Sequence, residues 1–298
     1  MKILLNEKLS NHTTIHVGGN VNAIYFPENT EDLVEIVKSK SKKDIIILGN
    51  GSNIVFHDNK VNSIPICMKK YNTKKIYIHN DYNYLKSATK IPEIKVSAGI
   101  SCARLAKFAH KHKIPNFEFL HGIPGTIGGA LRMNAGAFKQ EIWNIVNTFT
   151  IMDIRGNIST FHRKEMQTSY RNINLNKNKF FIEATFKIHS SGPRFFNKKL
   201  LVDYSLVRKK SQPINQWSSG CIFKNPDTNN SASYLIESAG LKTKRIGGFY
   251  VSKKHSNYFI NDGTGTYNDL IQLIDYVKKT IRLKYNIKLK EEIQIYKI

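Results

Sequence analysis

The sequence predicts an α+β fold, and two kinds of segment carry this prediction. Stretches with apolar residues at helical spacing follow polar cap residues and indicate helices, whereas short runs rich in β-branched and aromatic residues indicate strands. Hydrophobic residues occupy 41% of the 298 positions, so the chain can bury a large core divided among two or three small domains.

The first helix and the first buried strand are predicted near the start of the chain. We expect a helix over Thr30–Lys40, with Thr30 as N-cap, two acidic residues in the first turn and one apolar side. Ile45–Leu48 predicts a buried strand that enters a tight loop at a glycine. A second capped helix is expected over residues 101–112.

The middle of the chain mixes helix and sheet. Residues 143–154, 158–162 and 180–188 are β-rich and predict strands. Residues 71–92 are polar, aromatic and irregular, which fits a long hairpin or a surface excursion. Residues 190–194 contain Gly-Pro and predict a linker.

The C-terminal region predicts one long helix and a closing strand. Thr266 and Asp269 have the spacing of a capping box. The apolar residues that follow have the period of a helix that is buried on one side. Residues 287–298 predict the last strand. The apolar stripe consists of Leu270, Ile271, Leu273, Ile274, Val277 and Ile281.

Composition narrows the class of protein without naming a partner. The formal charge is +24, from 46 basic and 22 acidic residues, and such an excess attracts any polyanion. Lys, Asn and Ile recur throughout the sequence, so a coding bias explains the charge equally well. The charge therefore carries little weight in assigning a function.

We expect a cytoplasmic protein. No run approaches the roughly 20 apolar residues of a membrane span, and residues 1–10 lack the features of a signal peptide. The three cysteines, Cys67, Cys102 and Cys221, are far apart and suit neither a disulfide framework nor a metal knuckle. We interpret this pattern as that of a reducing compartment.

A first glycine loop, residues 48–54, follows the predicted strand at 45–48. Its glycines would let the backbone approach a ligand and present N–H groups to phosphate oxygens. An ordinary strand-ending turn is the alternative interpretation. The loop consists of Leu48, Gly49, Asn50, Gly51, Ser52, Asn53 and Ile54.

A second glycine loop, residues 122–130, is less ordinary because isolated isoleucines stand among its glycines. It lacks the Gly-Lys-Ser/Thr ending of a Walker loop, and no strand leads into it as in a Rossmann fingerprint. Two phosphate-binding loops far apart in sequence predict one dinucleotide held by both. The candidate residues are Gly122, Ile123, Pro124, Gly125, Thr126, Gly128, Gly129 and Ala130, followed by Asn134 and Gly136.

The pair of loops resembles the FAD-binding module of the vanillyl-alcohol oxidase and para-cresol methylhydroxylase (PCMH) superfamily. Further motifs resemble the UDP-N-acetylenolpyruvoylglucosamine reductase family over nearly the whole chain, in the branch that lacks an extra substrate-covering loop. The motifs are Thr14 to Gly19, Ser169-Tyr170-Arg171, Gln212-Pro213, Gly220 to Pro226, Ala239 to Lys242, Val251 to His255 and Glu292-Ile293.

The resemblance implies a fold and a division into domains. We expect a PCMH-type FAD-binding module in two parts, an α/β part over residues 1–70 and an α+β part over residues 71–190. An α+β substrate-binding domain is expected over residues 195–298.

The resemblance also implies the reaction and its cofactors. The family uses noncovalent FAD, with NADPH as hydride donor, to reduce UDP-N-acetyl-3-O-(1-carboxyvinyl)-glucosamine to UDP-N-acetylmuramate, a peptidoglycan precursor. The implied partners are the UDP-sugar and NADPH. We expect a monomer with no metal ion, no nucleic acid and no membrane partner.

Three catalytic residues follow from the family motifs. Arg171 would clamp the substrate carboxylate, since its planar fork binds two oxygens. Cys221 stands where the family usually has the serine that donates a proton, and a thiol is the stronger acid of the two. Glu292 would orient the donor, and Glu291 replaces a proline that is usual in the family. By residue type alone, an exposed Arg, a buried Cys and a solvent-facing Glu are the alternatives.

The resemblance assigns the remaining candidates to the substrate. Tyr170, Lys209, Lys224 and Asn225 would bind polar or phosphate groups of the sugar nucleotide. Two other functions stay open at this point. Another PCMH-type flavoprotein would oxidise a small alcohol or sugar, and a basic nucleic-acid-binding protein would explain the charge but not the glycine loops.

Overall fold

A computed structural model describes residues 1–40, 44–79, 92–188, 196–227 and 229–296. The α-helices in these residues are α1 (Thr30–Lys40), α2 (Cys102–Lys111), α3 (Ile127–Arg132), α4 (Leu200–Ser211), α5 (Ala232–Ser238) and α6 (Tyr267–Tyr285). The strands are β1 (Lys2–Lys8), β2 (Asn20–Phe26), β3 (Ile45–Leu48), β4 (Ile54–Phe56), β5 (Ile64–Cys67), β6 (Ile76–His79), β7 (Glu93–Ser97), β8 (Gly136–Ala137), β9 (Gln140–Glu141), β10 (Val146–Asp153), β11 (Ile158–His162), β12 (Thr168–Ser169), β13 (Asn172–Ile173), β14 (Lys179–Lys187), β15 (Arg245–Ile246), β16 (Phe249–Val251), β17 (Phe259–Asn261) and β18 (Gln294–Tyr296).

The chain forms two compact units from interleaved segments. Unit 1 contains Met1–Leu4, Ala23–Asn50 and Ser63–Leu206. Unit 2 contains Leu5–Asn22, Gly51–Asn62 and Val207–Ile298. The first glycine loop contributes residues to both units, and each unit is described by itself below.

Unit 1 contains two sheets, each of which packs against helices. Strands β2 and β3 both pair in parallel with β5. Helix α1 buries Leu33, Ile36 and Val37 in the core beside them, because these residues recur at helical spacing on one face. The second sheet has the order β11-β10-β14-β7-β6, and its pairs are antiparallel. A core that includes Trp143 and Phe149 joins this sheet to α2 and α3.

Unit 2 is built around the long helix α6. Its buried stripe packs with α5 and with the antiparallel sheet β15-β16-β17 in one hydrophobic core. Strand β18 pairs in parallel with β4, so the last strand lies directly beside the end of the first glycine loop. The buried residues of α6 are Tyr267, Leu270, Leu273, Ile274, Val277 and Ile281.

The structure confirms the predicted helices and corrects one cap. Helices α1 and α6 lie where they were predicted, and α2 occupies residues 102–111, with Ser101 as its N-cap. Asn29, however, caps α1 rather than Thr30, because its side-chain oxygen accepts a hydrogen bond from the Asp32 N–H at 2.8 Å. The Thr30 hydroxyl instead bonds to the Tyr71 hydroxyl at 3.0 Å.

The strand predictions are confirmed in part. Strands β3 and β11 match their predicted ranges, but the strand predicted from 143 begins at Val146, because residues 142–144 form a 3₁₀ turn that buries Trp143. The strand predicted over 287–298 is wrong in extent. Within residues 287–296, the described part of this range, only Gln294–Tyr296 forms a strand, β18, since the backbone before it makes isolated bonds to residues 222 and 224 instead of a ladder.

Two predicted irregular segments reach beyond the described residues. In the stretch predicted as a hairpin or surface excursion, Ile76–His79 forms β6 and pairs with β7. Residues 80–91 and the predicted linker at 190–194 lie outside the described residues.

Candidate functional site

The two glycine loops meet in unit 1. A β-carbon placed on Gly49 would lie 2.5 Å from the Thr126 hydroxyl oxygen, so only glycine allows this approach. The two residues are distant in sequence, and their contact supports the prediction of one ligand held by both loops.

The second loop ends in the short helix α3, which Thr126 caps. The Thr126 hydroxyl accepts a hydrogen bond from the Gly129 N–H at 3.4 Å. The N–H groups of the first two residues of α3 are already bonded to protein carbonyls. Ile127 donates to the Ile100 carbonyl at 2.8 Å, and Gly128 donates to the Ala98 carbonyl at 2.9 Å. The predicted phosphate contacts of this loop must therefore come from other groups than the Gly128 N–H.

The rest of the first loop belongs to unit 2 and lies against the end of the chain. Gly51 has φ +67°, and a β-carbon there would lie 1.9 Å from the His12 carbonyl oxygen. The Asn53 side chain donates to the Glu292 carbonyl at 3.1 Å, and the Gln294 N–H donates to the Asn53 carbonyl at 3.0 Å. The predicted cofactor loop and the predicted carboxylate are thus direct neighbours.

Arg171 lies beside Asn134 and Gly136 in unit 1. Its Nη1 donates to the Asn134 carbonyl at 3.3 Å and its Nη2 to the Gly136 carbonyl at 2.9 Å. The guanidinium also lies over the Tyr170 ring, 5.1 Å from its centroid. The backbone of Arg171 has φ +53°, which is unusual for a residue other than glycine and typical of functional turns.

Cys221 lies in unit 2, in an extended segment that is bonded to the segments around Tyr258 and Glu292. It forms an isolated antiparallel bridge with Tyr258, and the next residue, Ile222, accepts a hydrogen bond from the Glu292 N–H at 2.7 Å. The Asn257 side chain fixes the same segment, because it accepts a hydrogen bond from the Phe223 N–H and donates one to the Phe223 carbonyl. The backbone therefore brings Cys221 and Glu292 close together.

Arg208 joins this cluster and was not predicted from the sequence. It lies on α4, is half-buried, and is close enough to Cys221 and Tyr258 to interact with their charged forms. Burial lowers the pKa of Arg208, and the charges on Tyr258 and Cys221 raise it. The sequence signal was helical spacing, because Leu201, Tyr204, Ser205 and Arg208 are the half-buried positions of α4 from residue 201 onward.

Tyr258 and the His255 ring that contacts it are held in their neutral forms. Burial raises the pKa of Tyr258, and the charges of Cys221 and Glu292 raise it further. Burial also lowers the pKa of His255, and the Arg208 charge acts in the same direction. At neutral pH the tyrosine and the histidine are therefore uncharged, and Arg208 supplies the positive charge.

Glu291 and Glu292 have different surroundings. The Glu291 carboxylate forms an ion pair with Lys278 of α6 at 2.6 Å. Glu292 is bonded to the first glycine loop through its carbonyl and interacts electrostatically with Tyr258. Because the Glu291 carboxylate is paired with Lys278, Glu292 stays the preferred candidate for the functional carboxylate.

The predicted substrate residues are distributed over both units. Tyr170 is exposed beside Arg171 in unit 1. In unit 2, Lys209 is exposed, and its carbonyl accepts from the Lys254 ammonium group at 2.5 Å. The backbone N–H of Lys224 donates to the Lys290 carbonyl. The Asn225 side chain accepts from the Ala232 N–H at the start of α5, so it also has a structural role.

The described residues fit a bound flavin dinucleotide. Asn134 is fully buried, yet its side-chain oxygen has no hydrogen-bond partner among the described residues. A buried acceptor of this kind is suited to an N–H donor of a ligand. Gly49 and Gly51 place no side chain in the first loop. In the second loop, Pro124 and Gly129 are exposed.

Two negative findings concern only the described part of the chain. It contains no group of three or more His, Cys, Asp or Glu residues with the geometry of a metal site. None of its helices is both long enough and apolar enough to cross a lipid bilayer.

Comparison with known protein families agrees with this geometry. Residues 21–162 match the family model of an FAD binding domain. This match and the two loops define the class of the protein, an FAD-dependent oxidoreductase. Residues 212–296 match the model of the UDP-N-acetylenolpyruvoylglucosamine reductase C-terminal domain.

Relatives that span the whole chain establish the family. UDP-N-acetylenolpyruvoylglucosamine reductase of Fusobacterium nucleatum is 32% identical, with 99% of each chain covered. Reductase 2 of Bacillus cereus is 33% identical over 97% of this chain and 91% of the relative. The chain therefore belongs to the UDP-N-acetylenolpyruvoylglucosamine reductase family, and the predicted resemblance is confirmed.

A solved structure supports the fold. The crystal structure of the reductase from Thermus caldophilus has a TM-score of 0.78 and is 25% identical, covering 99% of this chain and 98% of the other. The predicted α+β fold, with an FAD-binding module followed by the family's C-terminal domain, is confirmed.

Proposed function

We propose that the chain catalyses the NADPH-dependent reduction of UDP-N-acetyl-3-O-(1-carboxyvinyl)-glucosamine to UDP-N-acetylmuramate, with Cys221 as proton donor. The observation that carries this proposal is the cluster of Cys221, Arg208, Tyr258 and Glu292 beside the first glycine loop. This reduction requires a proton donor and a cation that stabilises the developing negative charge, and the cluster contains a thiol, a guanidinium and a carboxylate.

Arg171 binds the substrate carboxylate in this proposal. FAD, when bound, would supply a hydride obtained from NADPH. Arrival of that hydride at the terminal vinyl carbon would leave negative charge spread into the adjacent carboxylate. A guanidinium fixed by two carbonyls, as in Arg171, can stabilise that charge without first having to reorganise. Its planar fork suits a carboxylate better than a point charge would.

Cys221 protonates the carbon next to the carboxylate, and Glu292 orients the thiol. A thiol is a stronger acid than a hydroxyl, so it can take the place of the family's usual serine as proton donor. Cys221 is partly accessible, as a donor to a substrate must be. Tyr258 stays neutral beside it, which avoids a second negative charge.

Arg208 is proposed to bind a phosphate group of the sugar nucleotide. It is half-buried next to Cys221, and a charge-assisted bond is stronger where water is excluded. Tyr170, Lys224, Asn225 and, more peripherally, Lys209 complete the proposed substrate contacts. The residues of the two glycine loops, with Asn134 and Gly136, are proposed to bind FAD noncovalently.

The wider setting is proposed on the same basis. Residues 1–70 and 71–190 would form the FAD-binding module and residues 195–298 the substrate domain, and the matched family models lie mainly within these limits. We propose a cytoplasmic monomer that takes part in peptidoglycan synthesis and so in cell shape and division. Three free thiols support a reducing compartment.

Anaerobic half-reactions test the function. The purified protein should be yellow, NADPH should bleach it, and the enolpyruvyl UDP-sugar should restore the colour of the reduced protein. A flavin that is reduced by a small alcohol or sugar but not by NADPH would instead favour a PCMH-type oxidase. A protein that cannot bind FAD would contradict both functions.

A further inference from the structure

Arg171 is held by a closed ring of contacts in unit 1 that includes a carboxylate with no assigned role. Glu141 accepts a hydrogen bond from the Asn134 side-chain nitrogen at 2.8 Å. The backbone carbonyls of Asn134 and Gly136 both accept from Arg171. Gly136 pairs with Glu141 in the β8-β9 hairpin, which closes the ring.

We propose that Glu141, acting through Asn134, is a positioning residue for Arg171. The inference rests on the proposed function, in which Arg171 binds the substrate carboxylate. Glu141 itself is assigned no contact with substrate or cofactor, and it acts by fixing the carbonyls that bind the guanidinium.

The Asn134 amide can serve this purpose in only one orientation. Its nitrogen donates to Glu141 and also to the Ser169 carbonyl at 2.9 Å, so both amide hydrogens have acceptors. The flipped amide would direct its oxygen at a carboxylate and a carbonyl, which are acceptors only. The Glu141 carboxylate and the Ser169 carbonyl together therefore select the observed orientation.

The same amide joins the two segments that must be aligned. Ser169 lies in the β12-β13 hairpin, whose turn contains Arg171, while Asn134 precedes β8. A hydrogen bond from one side chain thus fixes the backbone that carries Arg171 relative to the backbone that binds its guanidinium. Because Asn134 is fully buried, water cannot replace these bonds without a local rearrangement.

Backbone conformation shows that this arrangement needs support. Asn134 has φ +41° and Arg171 has φ +53°, and the turn of the β8-β9 hairpin has two further left-handed residues, Phe138 and Lys139. Such conformations persist in residues other than glycine only where the surroundings impose them. The hydrogen bonds of Glu141 and Asn134 supply that constraint.

The test measures the two half-reactions of the holoenzyme separately. Glu141→Ala should slow reoxidation of the reduced flavin by the UDP-sugar about tenfold to a hundredfold, since small misplacements of a catalytic group have effects of this size. Flavin reduction by NADPH should be slowed much less, because the Ser169 carbonyl still holds the Asn134 amide that is proposed to contact FAD. Glu141→Gln keeps an acceptor oxygen for Asn134 and should recover most of the lost rate.

A double variant separates positioning from general stability. In an Arg171→Ala background, Glu141→Ala should cause little further loss, because its effect passes through Arg171. Independent losses that multiply would overturn the inference, as would loss of FAD or equal slowing of both half-reactions. If Glu141→Ala does not fold, Glu141→Asp, whose carboxylate is one methylene shorter, should give the same selective slowing. Wild-type reoxidation by the UDP-sugar tests the proposed function separately.

Discussion

Gly49 and Thr126 are packed so closely that a β-carbon on Gly49 would lie 2.5 Å from the Thr126 hydroxyl oxygen. This contact joins the two glycine loops, which are far apart in sequence. The predicted dinucleotide site depends on it.

Gly49→Ala should therefore destabilise the protein and weaken FAD binding. Overpacking of this kind costs about 1–3 kcal/mol of the free energy of unfolding. Thr126→Ala removes the clashing hydroxyl, so the double variant should be more stable than the sum of the two single changes predicts. Urea unfolding and FAD titration measure both effects. For the unfolding measurement, Gly129→Ala is the control, because a β-carbon there meets Thr126 only at 3.6 Å. Additive losses would contradict the clash.

Thiol labelling should distinguish Cys221 from the other two cysteines. Burial raises the pKa of Cys67 and raises that of Cys102 to about 12, so neither forms an accessible thiolate near neutral pH. Mass spectrometry of the native protein treated with iodoacetamide should show one label, on Cys221. The label should block reoxidation of the flavin by the UDP-sugar and spare its reduction by NADPH. Labelling of Cys67 or Cys102 in the folded protein would contradict the prediction that only Cys221 is accessible to the reagent.

Substitution of Cys221 tests the donor role directly. Cys221→Ser replaces the thiol with the family's usual hydroxyl and should stay active, whereas Cys221→Ala should lose turnover of the sugar nucleotide. Glu292→Ala should lose the same half-reaction with FAD still bound. Steady-state rates measure the turnover of each variant, and the flavin spectrum shows whether FAD is still bound. Parental turnover by Cys221→Ala would rule out the donor assignment.

Arg208 and the adjacent Lys209 provide a matched pair. Arg208→Ala should raise the KM for the UDP-sugar about tenfold to a hundredfold, the range expected when a charged hydrogen bond is lost. Lys209→Ala should change it less than about threefold, because an exposed cation is screened by water. A larger effect at Lys209 would favour the residue predicted from the sequence over the one found beside Cys221.

Local signals explain which parts of the fold could be predicted from the sequence. Helices α1 and α6 have apolar residues at a regular period and acidic residues in the first turn, so their positions follow from neighbouring residues alone. The N-cap of α1 was misplaced by one residue because Asn29 and Thr30 are both good caps. Strand β18 is short because its extent depends on a partner, β4, more than 200 positions away.

Some residues of the candidate site could be predicted from the sequence, and others could not. Arg171, Cys221 and Glu292 stand in motifs that a family resemblance identifies. Arg208 and Glu141 were missed, because their significance lies in side-chain contacts with Cys221 and Asn134 that form only in the folded chain. Helical spacing places Arg208 on the half-buried side of α4, but it does not identify Cys221 as its neighbour.

The capping box of α6 makes stability depend on pH. The Thr266 N–H bonds to the Asp269 carboxylate at 2.9 Å and lowers the pKa of Asp269 below its usual 3.8. A lowered pKa in the folded state means that the stabilisation is fully present above pH 3.8 and is lost as the pH falls through the folded-state value. Asp269→Ala should therefore lower the free energy of unfolding by about 1 kcal/mol at pH 7, and the gap from wild type should narrow near pH 3. Urea midpoints at both pH values measure it. A gap for Asp269→Ala that stays constant between the two pH values would show that its charge does not contribute.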